Sequence, residues 1–314
     1  MRKARALGAL GAQWLNELDD VLTDLELDWS IEIGAVLAGG TGGLVAEVLC
    51  SDGTPAILKV PIPDGLDGQG PFEGEMRALL LGQGLGYVDV LRYEPSRRAV
   101  LLERLGPALS SLHWTVEKQI DVIARTVREC WSQPTPNSGL RTGADQAEYL
   151  ANSVATDWEQ LGRPCPPRVI AQAQDFARSR RDAYDPTTAV QIHGDAHPAN
   201  ILAAGTGGQL TAFKLIDPDG MMSEPAHDLA ISLRDWTDEL LAGDAVELGT
   251  AWCHQLADSA AAPAQAIWEW AFLERVSTGL FMMRLGDPHG ERLLAIADRW
   301  TNARSATPLG RIAP

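Results

Sequence analysis

At 314 residues and 45% hydrophobic, the chain can bury one large core or two smaller ones, and its size favours two. A formal net charge of −16 argues against a nucleic-acid partner and would draw a cationic small molecule. No run approaches the ~20 uninterrupted apolar residues that span a bilayer, so no membrane partner is expected. Cys50, Cys130, Cys165 and Cys253 are too scattered for a zinc site or a disulfide framework.

The opening MRKARALGALGAQWLNEL places basic residues before apolar ones, as secretion signals do. Its apolar run is short, however, and Gln13, Asn16, Glu17, Asp19 and Asp20 follow at once. An amphipathic helix carrying Leu10, Trp14, Leu18 and Val21 is expected instead, in a cytoplasmic protein. Residues 30–37, 44–49 and 55–60 have strand patterns, the last two joined by Ser51-Asp52-Gly53-Thr54, a strong hairpin signal. Between the first two strands, Gly40, Thr41 and Gly42 would let the backbone approach phosphates closely and donate amide hydrogens to them. No Gly-Lys-Ser/Thr follows, so this is not a Walker loop.

Lys59 is the only lysine between Lys3 and Lys118, and it sits among apolar residues of the third strand. A lysine there is costly to bury unless paired, which points to a specific anionic partner. A helix over 72–83 and strands over 86–93 and 98–105 would complete a first unit, 1–105, with Gly106-Pro107 at the boundary. The second unit, 106–314, has mainly helical patterns. Val116, Ile120, Ile123, Val127 and Cys130 share one face, and helical stretches follow over about 143–162 and 167–183. A long helix over 263–285 carries a core stripe of Trp270, Leu273, Val276, Leu280 and Met283, and Asp287-Pro288 ends it.

The densest chemistry lies in VQIHGDAHPANILAAGTGGQLTAFKLIDPDG, residues 190–220. Asn200 comes five residues after Asp195, and an apolar strand over 213–216 ends at Asp217. A loop and a hairpin would bring Asp195, Asn200 and Asp217 to one end of a small sheet. Two carboxylates and an amide so placed suit phosphoryl transfer. Asp195 would accept the proton of an attacking hydroxyl, while Asn200 and Asp217 would hold Mg²⁺ on nucleotide phosphates.

HGDAHPANIL followed by LIDPDG resembles the catalytic and metal loops of the aminoglycoside phosphotransferase family, relatives of the protein kinases. SDGTPAILKV, ALLLGQGLG, LLERL and the DPDG loop look most like its streptomycin 6-kinase and hydroxyurea-kinase branch, and the resemblance covers roughly residues 38–233. It implies an α+β, bilobal, protein-kinase-like fold with a small antiparallel-sheet N-lobe and a larger helical C-lobe. It also implies ATP and Mg²⁺ as cofactors. By the same match, Lys59 grips the α- and β-phosphates and pairs with Glu75, with Glu73 as the alternative. The Glu103 carbonyl and Leu105 amide meet the adenine edge. His193 supports the loop. Asp228 either braces that loop or caps a helix, and Asp219 is an accessory carboxylate or a turn residue. No Ala-Pro-Glu segment follows Gly220, which disfavours a protein substrate.

The expected activity is ATP-dependent phosphorylation of a hydroxyl on an aminoglycoside-type antibiotic. Asp235, Asp238, Glu239, Glu269 and Glu274 are the candidate carboxylates for its cationic groups. A metabolite kinase of the same fold is the alternative, and a non-catalytic nucleotide-binding module is a more distant one.

Overall fold

The computed structural model describes residue 4 and residues 7–37, 42–62, 70–132, 138–205 and 210–302. The N-terminal helix α1 (Gly8–Trp29) ends where Ser30 turns left-handed, at φ 52°. The chain then runs through β1 (Ile31–Val36), β2 (Gly43–Cys50), β3 (Pro55–Pro61), helix α2 (Pro71–Gly82), β4 (Val90–Glu94) and β5 (Ala99–Glu103). These strands form one antiparallel sheet in the order β1-β2-β3-β5-β4. The β2–β3 turn closes as its residues dictate: Gly53 supplies φ 84°, and the Asp52 carboxylate accepts the Thr54 amide at 2.9 Å.

Two layers cover this sheet, and β5 shows how. Its side chains alternate, with Ala99 and Leu101 joining Trp14, Leu18 and Leu25 of α1 in one core. Val100 and Leu102 join Phe72, Met76 and Leu79 of α2 in the other. The strand expected over 86–93 begins only at Val90, with a register shift between Val90 and Arg92, because Gly84 and Gly86 take φ of 76° and 70° and turn the chain. Gly86 is pressed so closely on the following helix that a Cβ there would lie 2.6 Å from Cys130 Sγ.

The remainder is mainly helical: α3 (Val116–Trp131), α4 (Gly143–Gln160), α5 (Pro167–Asp182), α6 (Pro225–Ile231), α7 (Thr237–Ala242), α8 (Ala245–Ala260), α9 (Ala264–Arg284) and α10 (His289–Asn302). Short strands β6 (Arg141–Thr142), β7 (Val190–Ile192) and β10 (Met221–Ser223) make a small sheet in the order β6-β10-β7. A hairpin of β8 (Ile201–Ala204) and β9 (Ala212–Leu215) stands apart from it.

The expected one-sided stripe on α9 is a correction. Every residue from Ala266 to Val276 is buried, including Glu269, Glu274 and Arg275. The helix passes through the middle of the helical unit, against α4, α5, α6, α8 and α10, so it needs no polar face. The expected boundary at Gly106-Pro107 is stitched to the hairpin, with Gly106 N–H on Ala203 O at 2.8 Å and Ala203 N–H on Pro107 O at 3.0 Å. No helix among the described residues is long and apolar enough to cross a membrane.

Candidate active site

The hairpin places the site. Asn200 stands just before β8 and Asp217 two residues after β9, and the Asn200 carbonyl accepts the Ile216 amide at 3.0 Å. Ahead of β8, the loop that leaves β7 carries His193 and Asp195. Its shape is set by Asp228, which is fully buried on α6. The Asp228 carboxylate accepts the Gly194 amide at 2.8 Å, the His193 amide at 2.9 Å and the Trp131 indole N–H at 2.9 Å. Asp228 therefore braces the loop and does not cap the helix.

His193 is equally structural. Burial pushes its pKa down, so the ring is neutral. Nε2–H donates to Ile216 O at 2.8 Å, and Nδ1 accepts the Asp195 amide at 3.1 Å. His197 lies 3.5 Å from Asp195 Oδ2 and forms no metal pair with His193.

Asp195 is partly exposed. Burial works to raise its pKa, but His197 and the Arg234 guanidinium hold the carboxyl well below the usual carboxylate range. Asn200 Nδ2 donates to Asp195 O at 3.1 Å and Oδ2 at 3.3 Å. That leaves the Asn200 side-chain oxygen without a hydrogen bond among the described residues.

From the sheet side, Lys59 Nζ reaches the two Glu75 oxygens at 2.6 and 2.8 Å and Asp217 Oδ1 at 2.7 Å. Glu73, the alternative partner, faces Arg98 at 2.6 Å instead. Burial disfavours the Lys59 charge, yet Glu75 and Asp217 outweigh it and keep the amine protonated above its ordinary pKa.

Lys59 and Asp217 border an apolar cleft of about 260 Å³. Leu37, Val45 and Ile57 line it from the sheet, Leu202 and Ile216 from the hairpin, and Leu105 from the connecting strand. The Leu105 amide finds no acceptor among the described residues. The Glu103 side chain is turned away into the hinge, where it takes the Asp89 amide at 2.8 Å and an ion pair from Lys214. Gly40 and Thr41 lie outside the described residues. Gly42 accepts the Ile62 amide at 2.8 Å.

The donor set fits a hard divalent cation. Asp217 supplies a carboxylate that is 51% exposed, Asn200 supplies an amide oxygen, and both are oxygen ligands at one hairpin end. Burial pushes the Glu75 carboxyl up to about 7 even with Lys59 against it.

A family model described as aminoglycoside/hydroxyurea antibiotic resistance kinase matches residues 28–284. The chain belongs to this family. It is 28% identical over 241 residues to a streptomycin 6-kinase of Streptomyces glaucescens, covering 76% of this chain and 74% of that one. It is 27% identical over 250 residues to a hydroxyurea phosphotransferase of Kitasatospora aureofaciens, covering 75% and 69%. Among solved structures, choline kinase LicA from Streptococcus pneumoniae superposes with a TM-score of 0.61 at 14% identity, covering 91% of this chain and 99% of that one. The streptomycin–ATP–APH(2")-IIa ternary complex does so with a TM-score of 0.56 at 16% identity, covering 90% and 97%. The fold is accordingly that of the protein-kinase-like phosphotransferases, and the chain is a phosphotransferase with an alcohol group as acceptor.

Two of the acids expected to bind a cationic substrate, Glu269 and Glu274, need correction. Glu269 is paired with Arg180 at 2.7 Å, and Glu274 with His227 at 3.0 Å. Asp238 meets Arg292, and Asp235 stands 4.0 Å from Arg234. Glu269 and Glu274 are buried, and a buried carboxylate must find a partner within the fold, as these two have; Asp235 and Asp238 stay exposed. Only Glu239, exposed on α7, has no such partner. Asp219 is exposed on a separate cavity of about 550 Å³, beside Arg141.

Sequence reasoning passed over Arg234 and Lys214. The signal for the first was an arginine embedded in the apolar run of LAISLRDW.

For a lysine that grips phosphate as the sequence leads one to expect, Lys59→Met raises the nucleotide KM about 10–100-fold through the lost charge-assisted contact. Steady-state kinetics against Mg-ATP will check this. Adding Glu75→Gln removes the orphaned buried carboxylate and separates the binding defect from any folding defect.

Proposed function

We propose that the protein transfers the γ-phosphate of ATP to a hydroxyl of a streptomycin-like aminoglycoside in the cytoplasm, and so confers resistance. The observation that carries this reading is the meeting of Lys59, from the sheet, with Asp217, from the hairpin that also bears Asn200, at 2.7 Å beside the apolar cleft. Adenine would lie in that cleft, against the Glu103 carbonyl and Leu105 amide, with the Gly40–Gly42 segment over the phosphates. Mg²⁺ held by Asn200 and Asp217 would neutralise charge on the phosphates. Lys59 holds the α- and β-phosphates, oriented by Glu75. Asp195 accepts a hydrogen bond from the acceptor hydroxyl and takes its proton late, as a carboxylate of such low basicity must.

Cells expressing the protein are expected to grow on streptomycin, while cells expressing an Asp195→Asn variant are not. Growth tests against streptomycin, other aminoglycosides and hydroxyurea decide this. A specific observation favours a second reading, in which a neutral sugar or amino alcohol is the acceptor. Two of the five acids proposed for a cation, Glu269 and Glu274, are buried and already paired within the fold. Purified protein that consumes ATP on such metabolites, with no resistance in cells, would establish that reading. ATP consumption on no hydroxylated compound would sink both.

A further inference from the structure

One charged group beside Asp195 has no duty in the proposed transfer. Arg234 closes the 3-10 turn Ser232–Arg234 after α6, and its Nη2 donates to Asp195 Oδ1. Its remaining contacts are to the protein as well: Nη1 lies 3.5 Å from Thr278 Oγ1 and 3.8 Å from Glu274 Oε2, and Nε lies 4.0 Å from Asp235 Oδ2. Glu274 is itself fixed by His227 Nε2 at 3.0 Å, and that imidazole is stacked on Trp270 with ring centres 3.7 Å apart.

The turn is anchored at each of its residues. Ser232 Oγ donates to Ala196 O at 2.8 Å, one residue from Asp195. The fully buried Arg275 donates to Leu233 O and to Thr237 Oγ1, and Thr237 Oγ1 donates to Arg234 O at 2.7 Å. An exposed arginine samples many rotamers and gives up that freedom when it is immobilised. Here the side chain is 19% exposed and its backbone is already held, so the guanidinium is delivered to one place.

We propose that Arg234 is a positioning residue, which locks Oδ1 of Asp195 and so turns Oδ2 to the acceptor hydroxyl. Oδ2 keeps only the longer contacts, 3.3 Å to Asn200 Nδ2 and 3.5 Å to His197 Nε2, and is the oxygen open to a stronger donor. Without the lock the carboxylate rotates, and a misplacement of this kind lowers transfer by about 10²-fold. Its contact with the site is the bond to Asp195 Oδ1, and it is through that carboxylate that it acts. The inference rests on the role proposed for Asp195.

The test uses the full chain with Arg234→Met, Arg234→Gln and Arg234→Lys, each alone and combined with Asp195→Asn. Two probes are followed, phosphate transfer to streptomycin and the slow hydrolysis of Mg-ATP, in which water replaces the acceptor. In hydrolysis the bond from the γ-phosphorus to ADP breaks, one to the water oxygen forms, and the water proton passes to Asp195. Arg234→Met is expected to lower kcat about 10²-fold while the KM values for acceptor and nucleotide stay within about threefold. Arg234→Lys, which keeps the charge without the planar fork, should recover part of that loss. In the Asp195→Asn background the Arg234 changes should add nothing, because both act on one carboxylate.

Turnover by Arg234→Met within about threefold of the parent overturns the proposal. So does a rise in acceptor KM at unchanged kcat, or losses that multiply in the double variants. Mg-ATP titration serves as the folding control. If Arg234→Met fails it, Arg234→Gln and Arg234→Lys decide by the same criteria. Full activity of Asp195→Asn would instead remove the proposed site. Its inactivity beside an active Arg234→Met removes only this inference.

Discussion

Replacing Asp195 by asparagine will lower kcat for phosphate transfer by about 10³-fold or more and leave Mg-ATP affinity within about threefold of the parent. The substitution keeps the side chain's volume and the bond from the Asn200 amide to the Asp195 backbone carbonyl, and removes the oxygen proposed to receive the hydroxyl proton. Lys59, Glu75 and Asp217 form their own cluster and are not touched, and Asn200 keeps its bond to the Asp195 carbonyl. Parallel measurement of single-turnover rate and nucleotide binding checks both halves. A slow enzyme that has also lost ATP would show that Asp195 belongs to the nucleotide site, and an unimpaired one would remove it from the chemistry.

The largest effect on stability is expected at Asp228. Its carboxylate is wholly buried and accepts two backbone amides and the Trp131 indole N–H. It also sits in the first turn of α6, where the helix dipole favours negative charge. Asp228→Ala leaves three donors without partners in a dry interior, at a combined cost of about 3–5 kcal/mol. For a protein of this size that corresponds to a Tm lower by roughly 10 °C. Asp228→Asn retains an acceptor and should lose about half as much. Thermal unfolding of the two variants beside the parent tests this, and equal Tm values for alanine and parent would refute the bracing role.

Much of this architecture is visible along the chain because the deciding signals are short-range. The offset from Asp195 to Asn200 lies within a single loop, and the apolar run ending at Asp217 is a strand at any level of detail. Lys59 stood out because a charge among strand apolars requires a partner, and Glu75 lies only 16 residues away. Contacts between distant segments left no such trace. Arg234 meets Asp195 across 39 residues and Lys214 meets Glu103 across 111, and no periodicity reports either. The acids of α9 misled for a related reason. A carboxylate among apolar residues looks alike whether it awaits a ligand or has an arginine from another helix, as Glu269 has Arg180 from α5. Helix α9 itself was placed correctly, but its burial on all sides follows from the helices packed around it.

Asp217 holds φ at 57°, in the left-handed region that asparagine, aspartate and glycine enter readily and other residues avoid. The position is thus filtered twice, once by the metal role proposed for its carboxylate and once by what the backbone tolerates. Most changes there would disturb the fold along with the chemistry. Asparagine alone keeps the turn and the side chain's shape while discarding the charge, so a one-residue drift marks the shortest route by which such an enzyme decays into a folded, silent pseudoenzyme.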